Sequence, residues 1–274
     1  NYSLRLARAL RACGLVNIQF VVQGGQVYVL EVNPRASRTV PYLSKITDIP
    51  MVRRAVAAQL GQPLPAESAV AADPTRGRIA VKAPVFSSLK LRQVEIALGP
   101  EMRSTGEVMG IDATYAAALY KALVAAGIKI PRTGSVLLTL ADKDKAEGVA
   151  LARAFLTKGF QLLATRGTGD ALAAAGLPVQ VVPKIGEGSP NLLDYITGKR
   201  VQLLVNTPSP ERRAEQQGLL IRRAAVESGV PCLTALDTAW ALLRALDAKA
   251  WQVQPIGQCA HAAVSPTAAR EVSR

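Results

Sequence analysis

The stretch VYVLEVNPRASRTVPYLSK, residues 27–45, begins as an apolar strand and then changes character. Its first four residues are good strand formers. Glu31, Asn33, Arg35 and Arg38 follow within eight residues, and Pro34 ends the strand among them. A carboxylate, an amide and two guanidinium groups suit a metal ion together with phosphoryl or carboxylate oxygens. On spacing alone, a metal–phosphate site and a capped strand end both stay open.

The composition indicates a globular protein with two domains. The chain has 274 residues, 49% of them hydrophobic and 19% charged, and this length is sufficient for two cores. No apolar run reaches the ~18 residues of a membrane span, and no signal peptide opens the chain. Three widely spaced cysteines without a CxxC pair fit a reducing cytoplasm. Because the chain begins at Asn1 with a helical pattern, we expect a piece of a longer protein.

The net charge of +13 favours a small anionic ligand over a polynucleotide. A nucleic-acid footprint clusters its basic residues and interleaves them with stacking aromatics. Here aromatic residues make up 4% of the chain, and the lysines and arginines are spread along it. We therefore expect neither a nucleic-acid partner nor a membrane partner.

The first half of the chain has the pattern of a hairpin followed by mixed helices and strands. Strands are predicted over residues 17–22 (NIQFVV) and 27–32 (VYVLEV), joined through QGGQ. The further predictions are a helix over 51–60, a surface connection over 63–77, a strand over 78–83, a glycine-punctuated loop over 99–110 and a helix over 114–126.

The hairpin loop decides which polar side chains share a face. A two-residue turn would pair Gln19 with Leu30 and put Glu31 on the opposite face, whereas a three-residue loop with a bulge glycine would bring Gln19, Glu31 and Asn33 together. We predict the three-residue loop. Carboxylate and amide oxygens on one face suit Mg²⁺ beside substrate phosphates.

After residue 131 strands and helices alternate, which predicts a five-stranded parallel sheet covered on both faces. The strands are predicted over residues 136–140, 161–165, 179–182, 202–206 and 232–235, and the helices over 145–158, 169–175, 191–197, 218–228 and 238–246. Ligands of such sheets bind outside the carboxyl ends of the strands. Hydroxyl, amide and ammonium groups lie at those ends, at Thr139, Thr165, Lys184, Asn206-Thr207 and Thr234.

The motif LLATRGT, residues 162–168, is a strand, a turn and a helix start. Thr165 and Thr168 place hydroxyls where free helix N–H groups can bind a phosphate. Lys145 and Lys184 can neutralise that phosphate. The alternative is that these threonines only cap helices, as threonines commonly do.

Several blocks resemble one family in the same order along the chain. NIQFVV and VYVLEVNPRASRTVPYLSKITDIP resemble the metal-binding end of an ATP-grasp domain, and EVNPRASRTVP followed by SK is similar to the large subunit of carbamoyl-phosphate synthetase. KAPVFS, LGPEMRSTGEVMG and the alternating segment extend the resemblance to about residue 246.

The resemblance implies an α/β fold in which a partial ATP-grasp domain (α+β) precedes a Rossmann-like, five-stranded parallel domain. Residues 1–127 would be the carboxy-terminal part of the second ATP-grasp domain with a connector. Residues 128–248 would be the methylglyoxal-synthase-like allosteric domain, and residues 249–274 a disordered tail.

The resemblance also implies a reaction, the ATP-dependent phosphorylation of carbamate to carbamoyl phosphate for pyrimidine and arginine biosynthesis. Gln19, Glu31 and Asn33 would hold the Mg²⁺ or Mn²⁺ ions that bridge the phosphates of ATP. Arg35 and Arg38 would be the catalytic arginines that steady the reacting groups. The family works with a glutamine amidotransferase small subunit in the cytoplasm. We expect the 274-residue chain alone to be inactive, because the family's ATP-binding lysines and glycine-rich loop would precede it.

The second domain of the family binds a nucleotide effector such as UMP or IMP. The positions that match its effector pocket are Thr139, Lys145, Thr165, Thr168, Lys184, Asn206 and Thr234. The chain departs from the family at NTPSPERR, where Pro208 replaces a second threonine and one residue is inserted before Arg222. Ala83 replaces an acidic residue that binds ornithine in some relatives, which argues against regulation by ornithine.

Two other functions compete with this one. A regulatory module that binds nucleotides without catalysis has the same second domain. A methylglyoxal-synthase-type lyase needs a histidine and an aspartate in the phosphate pocket, and the sole histidine, His261, lies in the tail. The lyase is therefore the weaker alternative.

Overall fold

A computed structural model of the chain describes residues 1–64, 75, 77–86, 96 and 101–248. Within them the chain divides into two compact units. The first contains the described residues up to 82 together with 111–114, and the second contains 83–110 and 115–248. The predicted boundary at residue 127 stays a prediction. The predicted tail and most of the predicted connection over 63–77 lie outside the described residues. No helix in the described part of the chain is long and apolar enough to cross a bilayer.

The first unit is built around the predicted hairpin. Helix α1 (Tyr2–Ala9) precedes strands β1 (Asn17–Gln23) and β2 (Gln26–Asn33), and helices α2 (Thr39–Thr47) and α3 (Met51–Gln59) follow. The hairpin and the helix that starts at residue 51 confirm the predictions. Helix α2 was not predicted, because Pro41 interrupts its pattern; in the structure this proline lies in the first turn, where no intrahelical N–H bond is lost.

The predicted three-residue hairpin loop is wrong. Gly24 and Gly25 form a two-residue turn with φ of +55° and +76°, conformations that glycine adopts without strain, and Gln23 pairs with Gln26. Further along, Gln19 pairs with Glu31 and Phe20 with Val29, so the extra residue of β2 forms a bulge. The bulge shifts the register by one residue and so produces the shared face that the longer loop was predicted to give.

A second two-stranded sheet pairs β3 (Ile79–Phe86) with β4 (Ser104–Asp112). β3 confirms the strand predicted over 78–83, but the loop predicted over 99–110 is wrong from Ser104 onward. The glycines there were interpreted as turn signals. Gly110 instead lies where helix α4 (Tyr115–Ala125) approaches the strand: a Cβ on it would lie 2.0 Å from the carbonyl oxygen of Ala118. A glycine inside a strand commonly marks such a close backbone approach.

This close approach predicts a large loss of stability on Gly110→Ala. The added Cβ would also lie 2.5 Å from the amide nitrogen of Ala122, and backbone atoms cannot move aside as a flexible side chain can. We expect the free energy of unfolding to fall by about 3 kcal/mol, measured by urea denaturation. Gly106→Ala is the matched control, because among the described residues its Cβ would meet only Val85, at an ordinary 3.7 Å. Equal losses in the two variants would contradict the account.

The second unit contains the predicted parallel sheet, in the order β7-β6-β5-β8-β9. Its strands are β5 (Gly134–Thr139), β6 (Phe160–Ala164), β7 (Gln180–Val181), β8 (Leu203–Asn206) and β9 (Cys232–Leu233). All four pairings are parallel, as predicted. The chain order reverses between β5 and β8, the position at which open α/β sheets bind ligands.

Helices cover both faces of this sheet. They are α5 (Lys145–Thr157), α6 (Arg166–Ala174), α7 (Leu192–Thr197), α8 (Arg212–Ser228) and α9 (Leu236–Ala245), and a short 3₁₀ helix (Asp142–Asp144) precedes α5. Alternate residues of β5 enter opposite cores: Val136 and Leu138 pack in one, Leu137 in the other. Helix α8 begins six residues before its predicted start, because its first residues are mostly polar and lack an apolar pattern.

Candidate functional site

The hairpin of the first unit brings four of the predicted site residues into contact. Both amides donate to the same carboxylate oxygen, Oε1 of Glu31: Nε2 of Gln19 at 2.7 Å and Nδ2 of Asn33 at 2.9 Å. Arg35 joins them, because its Nη2 donates to Oδ1 of Asn33 at 3.5 Å. Arg38 is exposed at the N-cap of α2. The β2 bulge is what aligns Gln19 with Glu31.

The donor set of this cluster fits a hard divalent cation. One carboxylate and two amide oxygens are ligands that Mg²⁺ accepts, and such sites leave further positions to water and substrate phosphates. Gln19 and Asn33 would both have to turn their amides to present oxygens, because the N–H₂ group of each now faces Glu31. Among the residues that the structure describes, no three His, Cys, Asp or Glu side chains are grouped to hold a metal.

A cavity of about 150 Å³ lies at the carboxyl ends of the central strands of the second unit. Six of the seven predicted effector residues line it: Thr139, Lys145, Thr165, Thr168, Lys184 and Asn206. Thr234 does not; it lines a neighbouring cavity of about 230 Å³ next to β9. This separation follows from the topology, since β9 is an edge strand and the chain order reverses between β5 and β8.

The threonines of the cavity hold the loop after β5. Oγ1 of Thr168 accepts from the amide of Leu140 at 3.1 Å, and Oγ1 of Thr207 accepts from the amide of Ala141 at 2.8 Å. Each hydroxyl keeps a proton that can be donated to an anion. Thr165 is the N-cap residue of α6, but its side chain makes no capping bond and instead donates to Thr168 at 3.5 Å. Thr165 therefore does not have the simple capping role.

Lys145 and Lys184 supply positive charge in the cavity, beside the carboxylates of Asp142, Glu211 and Glu215. Nζ of Lys145 lies 2.6 Å from Oδ1 of Asp142. It also lies close to the start of α6, since a Cβ added to Gly167 would be 3.3 Å from it. The first amides of a helix have no intrahelical acceptors and attract anions. Hydrogen bonding to Lys145, then its charge and that of Lys184, hold the pKa of the Asp142 carboxyl below its ordinary value. The two ammonium groups thus act on the same small region.

The lowered pKa of Asp142 can be measured directly. A carboxyl whose folded-state pKa lies below its unfolded value stabilises the fold above that unfolded value, and the contribution is lost as pH falls through the folded pKa. We expect an NMR titration to show this low pKa, and Lys145→Met to raise it towards the ordinary value. Lys143→Met is the matched control and should leave it unchanged. An ordinary pKa for Asp142 in the wild-type chain would contradict the described ion pair.

Several lining residues were not predicted from the sequence. They are Ser209, Glu211, Glu215 and Gly218, together with the buried Arg222, which donates to Glu215. All of these lie in or after the segment in which the sequence departs from the family pattern, so the resemblance gave no guide to their positions.

The geometry first indicates the class of protein, an α/β protein that has a polar cluster at a strand end and a polar cavity at the switch point of a Rossmann-like sheet. Comparison with known proteins agrees with this class. Residues 1–67 match the family described as the carbamoyl-phosphate synthase L chain, ATP binding domain, and residues 147–234 match the MGS-like domain.

The chain is 53% identical over 259 residues to the carbamoyl phosphate synthase large chain of Thermomicrobium roseum. The chain therefore resembles a segment of a carbamoyl phosphate synthase large chain, with an ATP-binding-domain match followed by an MGS-like-domain match. The alignment covers 93% of this chain and 24% of the relative, so the chain spans about a quarter of that relative's length.

Proposed function

We propose that the chain contributes to the ATP-dependent phosphorylation of carbamate to carbamoyl phosphate, used in pyrimidine and arginine biosynthesis. The observation that carries the proposal is the cluster at Glu31, where two amides lie within 2.9 Å of one carboxylate oxygen and Arg35 adjoins them. The cluster lies in the segment that matches an ATP-binding domain. Its polar groups suit a phosphoryl transfer, in which positioning and charge neutralisation provide most of the catalysis.

Each residue of the cluster has a role in this proposal. Gln19, Glu31 and Asn33 would hold Mg²⁺ or Mn²⁺, which when bound neutralises charge on the phosphates of ATP. Arg35 is oriented by its bond to Asn33 and would donate two parallel hydrogen bonds to an oxyanion of the reacting groups. Arg38, exposed at the start of α2, would contact the same groups. No side chain is required as a nucleophile.

The cellular location and the partner subunit are part of the same proposal. The chain would act in the cytoplasm, as part of a large chain of the relative's length, with a glutamine amidotransferase small subunit that supplies ammonia. The Thermomicrobium roseum relative is named a large chain and is aligned over 24% of its length, which supports a longer chain with a smaller partner subunit.

The experiment uses a chimeric large chain, in which this sequence replaces the matching segment of the Thermomicrobium roseum relative. ATP formation from ADP and carbamoyl phosphate is the reverse of the proposed step and needs no bicarbonate or glutamine. We expect the chimera to form ATP in a reaction that requires Mg²⁺ or Mn²⁺. A chimera that folds but forms no ATP would contradict the proposal.

We further propose that the cavity of the second unit binds a nucleotide effector such as UMP or IMP. Two lysines, threonine hydroxyls and a helix start within one cavity support a phosphate-bearing ligand. Calorimetric titration of the 274-residue chain with each nucleotide tests this. Binding without any ATP formation by the chimera would instead favour the alternative, a non-catalytic nucleotide-binding module.

A further inference from the structure

Arg222 is a buried cation that the proposed nucleotide site does not yet explain. Its side chain is 1% exposed, the lowest value of any charged side chain among the described buried residues. Nη1 donates to Oδ1 of Asn206 at 2.8 Å, and Nη2 donates to Oε1 of Glu215. A buried guanidinium is costly unless its partners are fixed, so this arrangement is a built feature of the cavity wall.

Gly218 makes room for this side chain. A Cβ on Gly218 would lie 2.8 Å from Nη1 of Arg222 and 3.5 Å from Oδ1 of Asn206. Glycine lowers helix stability, so its position one turn before Arg222 in α8 is explained by this close approach. The guanidinium thus reaches the end of β8 through the space that the absence of a side chain on Gly218 leaves.

The guanidinium fixes which way the Asn206 amide faces. Arginine has only donors, so the atom of Asn206 that it contacts must be the carbonyl oxygen. Asn206 is 4% exposed and lines the cavity. With its oxygen engaged by Arg222, the group that remains for a ligand is the amide N–H₂, a donor suited to phosphate or carbonyl oxygens.

Arg222 also neutralises a carboxylate of the cavity wall. Glu215 lines the cavity, and its two oxygens accept from Arg222 and, at 3.1 Å, from the amide of Ser209. Without the guanidinium, this carboxylate would repel an anion that Lys145 and Lys184 attract. One buried side chain therefore sets both the donor and the charge on this side of the cavity.

We propose that Arg222 is a positioning residue of the cavity, which orients Asn206 as a hydrogen-bond donor and neutralises Glu215 so that a phosphate-bearing nucleotide can bind. The inference rests on the proposed nucleotide site and adds to it a determinant that does not itself touch the ligand. It also specifies the ligand atom that Asn206 meets, which is an acceptor oxygen.

The first test is Asn206→Asp, titrated calorimetrically with UMP and IMP. The aspartate can still accept from Arg222, so the fold and the melting temperature should be retained. Its other oxygen replaces a donor by a charged acceptor, and we expect the affinity to fall at least about tenfold. If the wild-type chain binds a nucleotide and the affinity of Asn206→Asp lies within twofold of it, the inference is overturned and the nucleotide site is left intact. No heat from either nucleotide with the wild-type chain would overturn both.

The second test separates positioning from a merely structural role. Arg222→Met should weaken nucleotide binding, and adding Glu215→Gln should restore part of the affinity because it removes the unpaired charge. A structural role for Arg222 predicts no such rescue, so its absence would overturn the inference. Arg223→Met is the matched control, since this neighbouring arginine does not line the cavity, and it should bind like the wild type.

Discussion

Replacing Glu31 by glutamine is expected to lower ATP formation from ADP and carbamoyl phosphate in the chimeric large chain by about 100- to 1,000-fold. The glutamine has nearly the same shape and can keep a hydrogen bond to Gln19 or Asn33. It removes the one carboxylate of the cluster, and with it most of the attraction for a divalent cation. The variant should therefore have a lower catalytic rate and require a higher concentration of Mg²⁺, whereas its folding should change little.

Gln26→Ala is the control for this variant. Gln26 is exposed at the turn end of the same hairpin and pairs with Gln23, far along the strand from Glu31. It should leave the rate unchanged. Circular dichroism should show equal folding of both variants. If Glu31→Gln kept half or more of the rate, the proposed role of the cluster would be wrong.

Replacing Lys184 by alanine is expected to weaken the binding of UMP or IMP to the 274-residue chain by about 10- to 100-fold. A hydrogen bond between charged groups contributes about 1.5–3 kcal/mol, and the loss of one corresponds to this range. Lys184 lines the cavity and its charge reaches the region of Asp142. Lys145 remains in the variant, so binding should be weakened rather than abolished.

Lys158→Ala is the matched control, because Lys158 belongs to the same unit, pairs with Asp247 and does not line the cavity. It removes the same charge from the chain, so any general effect of net charge would appear in both variants. Undiminished nucleotide affinity in Lys184→Ala would show that the cavity is not the site.

The hairpin shows how far local pattern predicts structure. The strand formers and the Gly24-Gly25 turn signal were sufficient for both strands. The β2 bulge was not predictable, because a bulge depends on how strands pair and twist and leaves no fixed residue signature. The prediction that Gln19 and Glu31 share a face was therefore correct, but the three-residue loop given as its reason was wrong. The same limit applies to β4, where contact with α4, and not a turn, requires Gly110.

The parallel sheet was predictable because buried strands and helices alternate regularly, and topology then places their carboxyl ends together. This was sufficient to group Lys145, Thr168 and Asn206. Thr234 was grouped with them because it too ends a strand, but strand order, which the pattern does not give, places it elsewhere. Arg222 was missed because a charged residue in a polar helix is expected to be exposed.

The most direct test of the account is the rate of ATP formation by the chimera with and without a saturating nucleotide. If the chain joins a phosphoryl-transfer site to a nucleotide site that regulates it, UMP or IMP should change this rate by about fivefold or more, and Lys184→Ala should abolish the change. An unchanged rate at nucleotide concentrations that saturate the cavity by calorimetry would contradict the account.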